Sequence, residues 1–175
     1  TSAADPTINS MQGDRVAERV AAVRSRIEAA AGRAGRDPGA VRLVAVTKGA
    51  GVADVQAVIA AGVHDVAENR VQEAEAKQQQ IGDAAVWHLV GHLQTNKAAR
   101  AARLFSAVHS VDSERIAQSL ARQRDPEQDP LAVLIEVELT GIEARTGIPD
   151  HAAPSLARSL MGMPGIHLVG LMTIA

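Results

Sequence analysis

Short apolar runs recur along this chain at a nearly constant interval, and that interval restricts the fold more than any other feature. The runs begin at Leu43, Val63, Val86, Ala107, Leu131 and Ile166, so successive starts lie 20, 23, 21, 24 and 35 residues apart. Each of the first five leads into a stretch of helical periodicity, at 52–61, 71–81, 97–104, 113–122 and 151–161. Strand, helix and strand again at this spacing is the pattern of repeated βα units around a parallel sheet. Ahead of the first run, Val16, Val20, Val23 and Ile27 mark one apolar stripe, which predicts a helix. Asp14 suits its N-cap, and Gly35 with Asp37-Pro38 suits its end. Arg15, Glu18, Arg19, Arg24 and Glu28 lie off the stripe and read as a solvated face.

Two architectures accept six such units. An open doubly wound sheet usually carries a Gly-rich first turn for a nucleotide. Here the first strand leads into Val46-Thr47-Lys48-Gly49-Ala50-Gly51, which matches neither the dinucleotide nor the Walker pattern. The reading therefore favours a (β/α)8 TIM-type barrel, of which this chain supplies about six βα units plus the N-terminal helix. Closing eight strands would take two more units, roughly 50 residues at this spacing, so the C-terminal units are expected to be missing. Residues 1–12 are expected to be a flexible segment and 13–175 a single domain. The Gly- and Thr-bearing stretch from Thr140 to Asp150 reads as a loop, and Gly62 and Gly141 mark points needing permissive backbone. Asp125-Pro126 and Asp129-Pro130 form the one linker-like stretch, too short to separate domains.

Composition removes several function classes. The 175 residues include no cysteine, so disulfides, thiolate metal sites and cysteine nucleophiles are excluded. A net charge of −2, from 18 basic and 20 acidic residues, gives no field for nucleic acid or an anionic membrane. No run of 18 apolar residues occurs, and Thr1 to Ser10 lack the features of a signal peptide, so a cytoplasmic protein is expected. Tyrosine is absent, and Trp87 and Phe105 are the only aromatic residues of the Phe, Trp and Tyr class. Trp87 shares a strand face with Leu89 and Gly91, and is expected to be core.

In barrels of this type the chemistry sits at the C-terminal strand ends. Lys48 ends the first strand, where partial desolvation would free its amine as a nucleophile toward carbonyls; the bland alternative is a lysine reaching out to solvent. The second strand ends in Glu68-Asn69-Arg70, and the third continues into His92, Gln94 and Asn96. His88 and His92 have helical ligand spacing but fall on a strand and turn without paired carboxylates, so they fail as a metal site. His109 and Ser110 end the fourth strand, while His64 and His167 read as packed or solvent-facing imidazoles.

Three segments carry a resemblance. Leu43-Val44-Ala45-Val46-Thr47-Lys48, Glu68-Asn69-Arg70-Val71-Gln72-Glu73 and Trp87-His88-Leu89-Val90-Gly91-His92-Leu93-Gln94-Thr95-Asn96-Lys97 resemble the pyridoxal phosphate homeostasis proteins. Val108-His109-Ser110-Val111-Asp112 and Gly170-Leu171-Met172-Thr173-Ile174 continue the likeness in order. The resemblance implies a single barrel like the N-terminal domain of alanine racemase, with pyridoxal 5′-phosphate in Schiff-base linkage to Lys48. It also implies that Asn69 lies beside the cofactor ring and that Met172 contributes to the site. Ala67 stands where the family commonly has Gly, and the family's phosphate cradle comes from later strands.

What the resemblance implies is a protein that holds pyridoxal phosphate and maintains its intracellular level without turning over a substrate. Its expected partners are the cofactor and the apo-forms of enzymes that use it, with the chain itself monomeric. The alternatives are an amino-acid racemase on the same barrel and a cofactor-free interaction module. Racemases of that fold use a tyrosine from a second domain, and this chain contains none.

Overall fold

The computed structural model describes residues 6–125, 127, 129–142 and 145–174, with side chains from residue 13 onward. Residues 1–5, Pro126 and Ala175, which carry parts of the expected N-terminal segment, linker and chain end, lie outside the described residues. The chain divides into two compact units, residues 1–66 with 77–85, and residues 67–76 with 86–175.

The first unit holds α1 (Pro6–Arg33), β1 (Ala45–Val46) and α2 (Val52–Ala60). It also takes the start of β2 (Asp65–Glu68) and the end of α3 (Val71–Ile81). α1 begins at Pro6, well ahead of the Asp14 cap expected from sequence. A proline fits the first turn of a helix, where its missing N–H has no intrahelical partner to lose. Three residues of the expected stripe, Val16, Val20 and Ile27, are half-buried and Ala31 is buried, whereas the fourth, Val23, is exposed, as are the arginines beside them. Gly35, at φ +63°, ends the helix, with the Arg36 amide donating back to the Ala31 carbonyl at 2.9 Å. Asp37 then caps a short 3-10 turn by accepting from the Gly39 amide at 2.9 Å. Arg24 of α1 donates to the Gly62 carbonyl at the end of α2, at 2.7 Å.

The second unit is built on β3 (Val86–Leu89), β4 (Ala107–Val111), β5 (Leu131–Glu138) and β7 (Ile166–Met172). These run parallel in the order β3-β4-β5-β7, as expected for βα units. The helices α4 (Ala98–Leu104), α5 (Glu114–Ala121) and α6 (Ala153–Leu160) connect them. α5 starts at Ser113, whose hydroxyl accepts from the Ile116 amide, and buries Ile116, Ala117 and Leu120 on one stripe. Trp87, Phe105, Leu89, Leu93, Leu120, Leu131, Ile135 and Leu160 are the largest apolar residues of the core, so Trp87 is core as expected. One strand was not anticipated. Inside the stretch read as a loop, β6 (Ile148–Pro149) pairs with the last residues of β5, Ile148 against Val137 and Pro149 against Glu138. Two residues are too few to show a period of two, which is why the sequence pattern misses them.

Candidate functional site

In the first unit, Lys48 follows β1 on a four-residue turn. The Ala50 amide donates to the Thr47 carbonyl at 3.0 Å, and Gly49, at φ +74°, takes the third position. That is the pattern of a type II turn, which asks for glycine at this place. The turn is held from behind by Lys77 of α3, buried to 9% exposure, whose ammonium donates to the same Thr47 carbonyl at 2.7 Å. α2 begins at once: the Gly51 amide donates to the Asp54 carboxylate at 2.9 Å, half of a capping box.

The expected desolvation of Lys48 is not found. Its side chain is exposed, and Val46, on the same face of the strand, is 52% exposed. That face is only partly covered, and among the described residues the Lys48 amine has neither a hydrogen bond nor an ion pair. The lysine backbone is therefore fixed while its amine stays open to solvent.

In the second unit the other candidates stand at the C-terminal ends of parallel strands. Asn69 directly follows β2, half-buried. The Val90 amide donates to the Glu68 carbonyl at 3.0 Å, tying the end of β3 to the end of β2. Gly91 then passes so close to Asn69 that a Cβ there would sit 2.2 Å from the Asn69 carbonyl oxygen and 2.7 Å from its Cα. Only glycine permits this approach. The Gly91 carbonyl in turn accepts from the Ser110 hydroxyl of β4 at 2.7 Å. Met172 is the last residue of β7, in register with Glu136 of β5. Asn69 and Met172 thus stand at opposite ends of the strand row in this unit, whereas Lys48 belongs to the first unit.

Histidines gather at the ends of β3 and β4. His88 is 4% exposed, and its Nδ1 faces Nε2 of His109 at 2.9 Å, the two rings edge to face with centroids 5.2 Å apart. Burial, and next the charge of His88, push His109 down to about 4, so His109 is neutral at ordinary pH. His92 pairs with Asp112 at 3.3 Å. Among the described residues there is no group of three or more His, Cys, Asp and Glu side chains arranged to hold a metal ion. His64 and His167 are exposed, His64 with Nδ1 3.2 Å from the Ala84 carbonyl.

Three residues that shape these strand ends escape sequence reasoning. Lys77 carries a faint signal, since it falls on the stripe of α3 marked by Val71, Ala74 and Ile81, where a lysine needs a buried acceptor. Gly91 lies inside the Trp87–Lys97 segment but nothing in a single sequence gives its proximity to Asn69. Glu136 interrupts the apolar run of β5 and is 3% exposed, a buried carboxylate visible only as one charge among apolar neighbours.

Parallel strands with connecting helices and functional candidates at the C-terminal strand ends are the arrangement found in proteins of the (β/α) barrel class. The chain belongs to the alanine racemase N-terminal domain family, whose model matches residues 19–175. The curated relatives narrow this to the pyridoxal phosphate homeostasis proteins: one from Pseudomonas aeruginosa is 41% identical over 160 residues, covering 91% of this chain and 70% of that protein. Among solved structures, PipY of Synechococcus elongatus with PLP bound is 33% identical with a TM-score of 0.75, over 91% of this chain and 70% of PipY. Alanine racemase from E. faecalis, 17% identical with a TM-score of 0.63 over 86% of this chain and 41% of that one, shares the fold.

Proposed function

We propose that this chain binds pyridoxal 5′-phosphate through Lys48 and acts in the homeostasis of that cofactor, holding it and handing it on rather than using it to turn over a substrate. The observation that carries the reading is the exposed Lys48 amine, without a partner among the described residues, on a turn anchored by the buried Lys77. Bound there, the cofactor supplies an aldehyde that bonds reversibly to a primary amine. The residues fit that need: a lysine locked in an ion pair would have to break it first, and Lys48 has none to break. Asn69, held by Gly91, would lie beside the ring, and Met172 would add an apolar contact. The names of the relatives support a homeostasis role, and the PLP held by PipY supports the choice of cofactor. No helix among the described residues is long and apolar enough to cross a membrane. The proposed form is a cytoplasmic monomer that delivers the cofactor to apo-enzymes.

Borohydride reduction of the protein mixed with pyridoxal phosphate, followed by peptide mass analysis, tests the assignment. The reduced adduct is expected on the peptide carrying Lys48 and is expected to vanish in Lys48→Ala. An adduct retained at full occupancy in that variant, on Lys97 for example, would overturn it.

A further inference from the structure

The C-terminal end of β5 borders an open-sided cavity of about 380 Å³ lined by Glu136, Val137, Glu138, Arg145, Thr146 and Ile174. Glu136 is its unusual member. It is 3% exposed, its Oε1 accepts from the Thr146 hydroxyl at 2.6 Å, and its Oε2 is buried with no hydrogen-bond partner among the described residues. A buried carboxylate oxygen left without a donor is costly, and native structures rarely leave one so. The chain passes tightly over this side chain at Gly147, where a Cβ would come within 3.3 Å of Glu136 Cγ and 3.0 Å of the Glu138 amide nitrogen.

The other acid of the cavity is already satisfied. Glu138 accepts from the Thr140 amide at 2.6 Å, from the Thr140 hydroxyl, and from the Gly141 amide at 2.8 Å. These bonds, the Thr140 hydroxyl's first, hold its carboxyl below the usual range, and the Arg145 charge adds to the effect. Arg145 also donates to the Ile174 carbonyl at 3.3 Å. Arg145 is the one basic side chain of the lining and acts on Glu138, so no basic side chain of the lining is left for Glu136, which keeps one oxygen without a donor among the described residues.

We propose that this cavity is a binding site for a small organic monocation, a primary ammonium compound, held by Glu136 Oε2 with its alkyl part against Val137 and Ile174. A divalent metal fits poorly, because it asks for about six oxygens and the cavity has one free. An ammonium carries three donors on a compact head, and one of them meets the unpaired oxygen. Glu136 stands in register with Met172, a proposed cofactor contact, but the test needs no cofactor.

The test is calorimetric titration of the full chain, without added pyridoxal phosphate, with n-butylammonium chloride, and with butan-1-ol and tetramethylammonium as probes of similar size. Butylammonium is expected to bind saturably and at least tenfold more tightly than either control, shifting the amide resonances of residues 136–138 and 145–147. Glu136→Gln keeps an oxygen for Thr146 but loses the charge, and is expected to weaken butylammonium binding about tenfold or more. Equal binding of butanol, unchanged binding by Glu136→Gln, or no saturable binding at all would overturn the proposal, the last meaning that ordered water alone meets Oε2. Should Glu136→Gln fail to fold, the comparison of the three probes on the unaltered chain decides. A missing adduct at Lys48 with intact butylammonium selectivity would count against the cofactor reading alone.

Discussion

Replacing Gly91 by alanine should loosen the strand ends that carry Asn69, and the size of the effect follows from the contacts. The new methyl would lie 2.2 Å from the Asn69 carbonyl oxygen and 2.7 Å from its Cα, both backbone atoms that cannot swing aside. Relief requires Gly91 to move off β2, which stretches the Val90 to Glu68 bond of 3.0 Å and the Ser110 to Gly91 bond of 2.7 Å. Two such bonds weaken stability by about 1 kcal/mol each, and forced overpacking adds about 1–3 kcal/mol. A partial loss of each gives a total of about 3 kcal/mol. For a chain of this size that lowers the melting temperature by roughly 6–12 °C, measurable by circular dichroism or calorimetry. The adduct at Lys48 should persist while retention of the cofactor on dialysis falls, because Asn69 shifts. A Gly91→Ala protein that melts with the unaltered chain would show that the close approach is not a constraint, and the account of the Asn69 position would fail with it.

Acid should weaken the fold through His109: its value of about 4 lies below the unfolded 6.5, so the unfolded chain binds the proton first and stability falls as pH drops through that window. Thermal melts at pH 7, 5.5 and 4.5 should show a steeper decline for the unaltered chain than for His109→Gln, and parallel declines would refute the link. Trp87→Ala should cost about 3–5 kcal/mol, whereas Trp87→Phe should cost much less, because the Trp87 indole N–H has no hydrogen-bond partner among the described residues to lose; equal denaturation midpoints for the two variants would contradict this. Lys77→Met should destabilise by about 1–3 kcal/mol and slow borohydride-trapped labelling of Lys48, since the Thr47 carbonyl loses a donor; labelling at the original rate would mean the turn holds without Lys77.

The βα period was legible because it rests on burial, and burial repeats with the elements. The strands starting near Val63, Val86, Ala107, Leu131 and Ile166 are therefore where the apolar runs place them, and Gly35 and Gly62 take the positive φ that ends helices α1 and α2. What escaped depends on distance through space. The start of α1 at Pro6 lacks an apolar stripe, because residues ahead of Val16 have no periodic apolar pattern to read. The exposure of Lys48 could not be read from an apolar strand, since apolar neighbours in sequence do not guarantee cover in space; Val46 itself is 52% exposed. Lys77 and Glu136 looked like ordinary charges, and only coordinates reveal that one meets a carbonyl and that the other has an oxygen left over.

The histidine pair has a consequence that follows from counting hydrogens. When both rings are neutral, a single hydrogen lies between His88 Nδ1 and His109 Nε2, which face each other at 2.9 Å. If His88 supplies it, His109 must carry its own hydrogen on Nδ1 and His88 Nε2 becomes an acceptor. If His109 supplies it, both outer nitrogens reverse: His109 Nδ1 accepts and His88 Nε2 donates. The two far ends of the pair are therefore never alike, and a change of hydrogen-bonding partner at the more accessible ring inverts the polarity presented at the buried one with no net charge crossing the strands. In the state where neither ring carries a proton charge, the pair is a single switchable dipole.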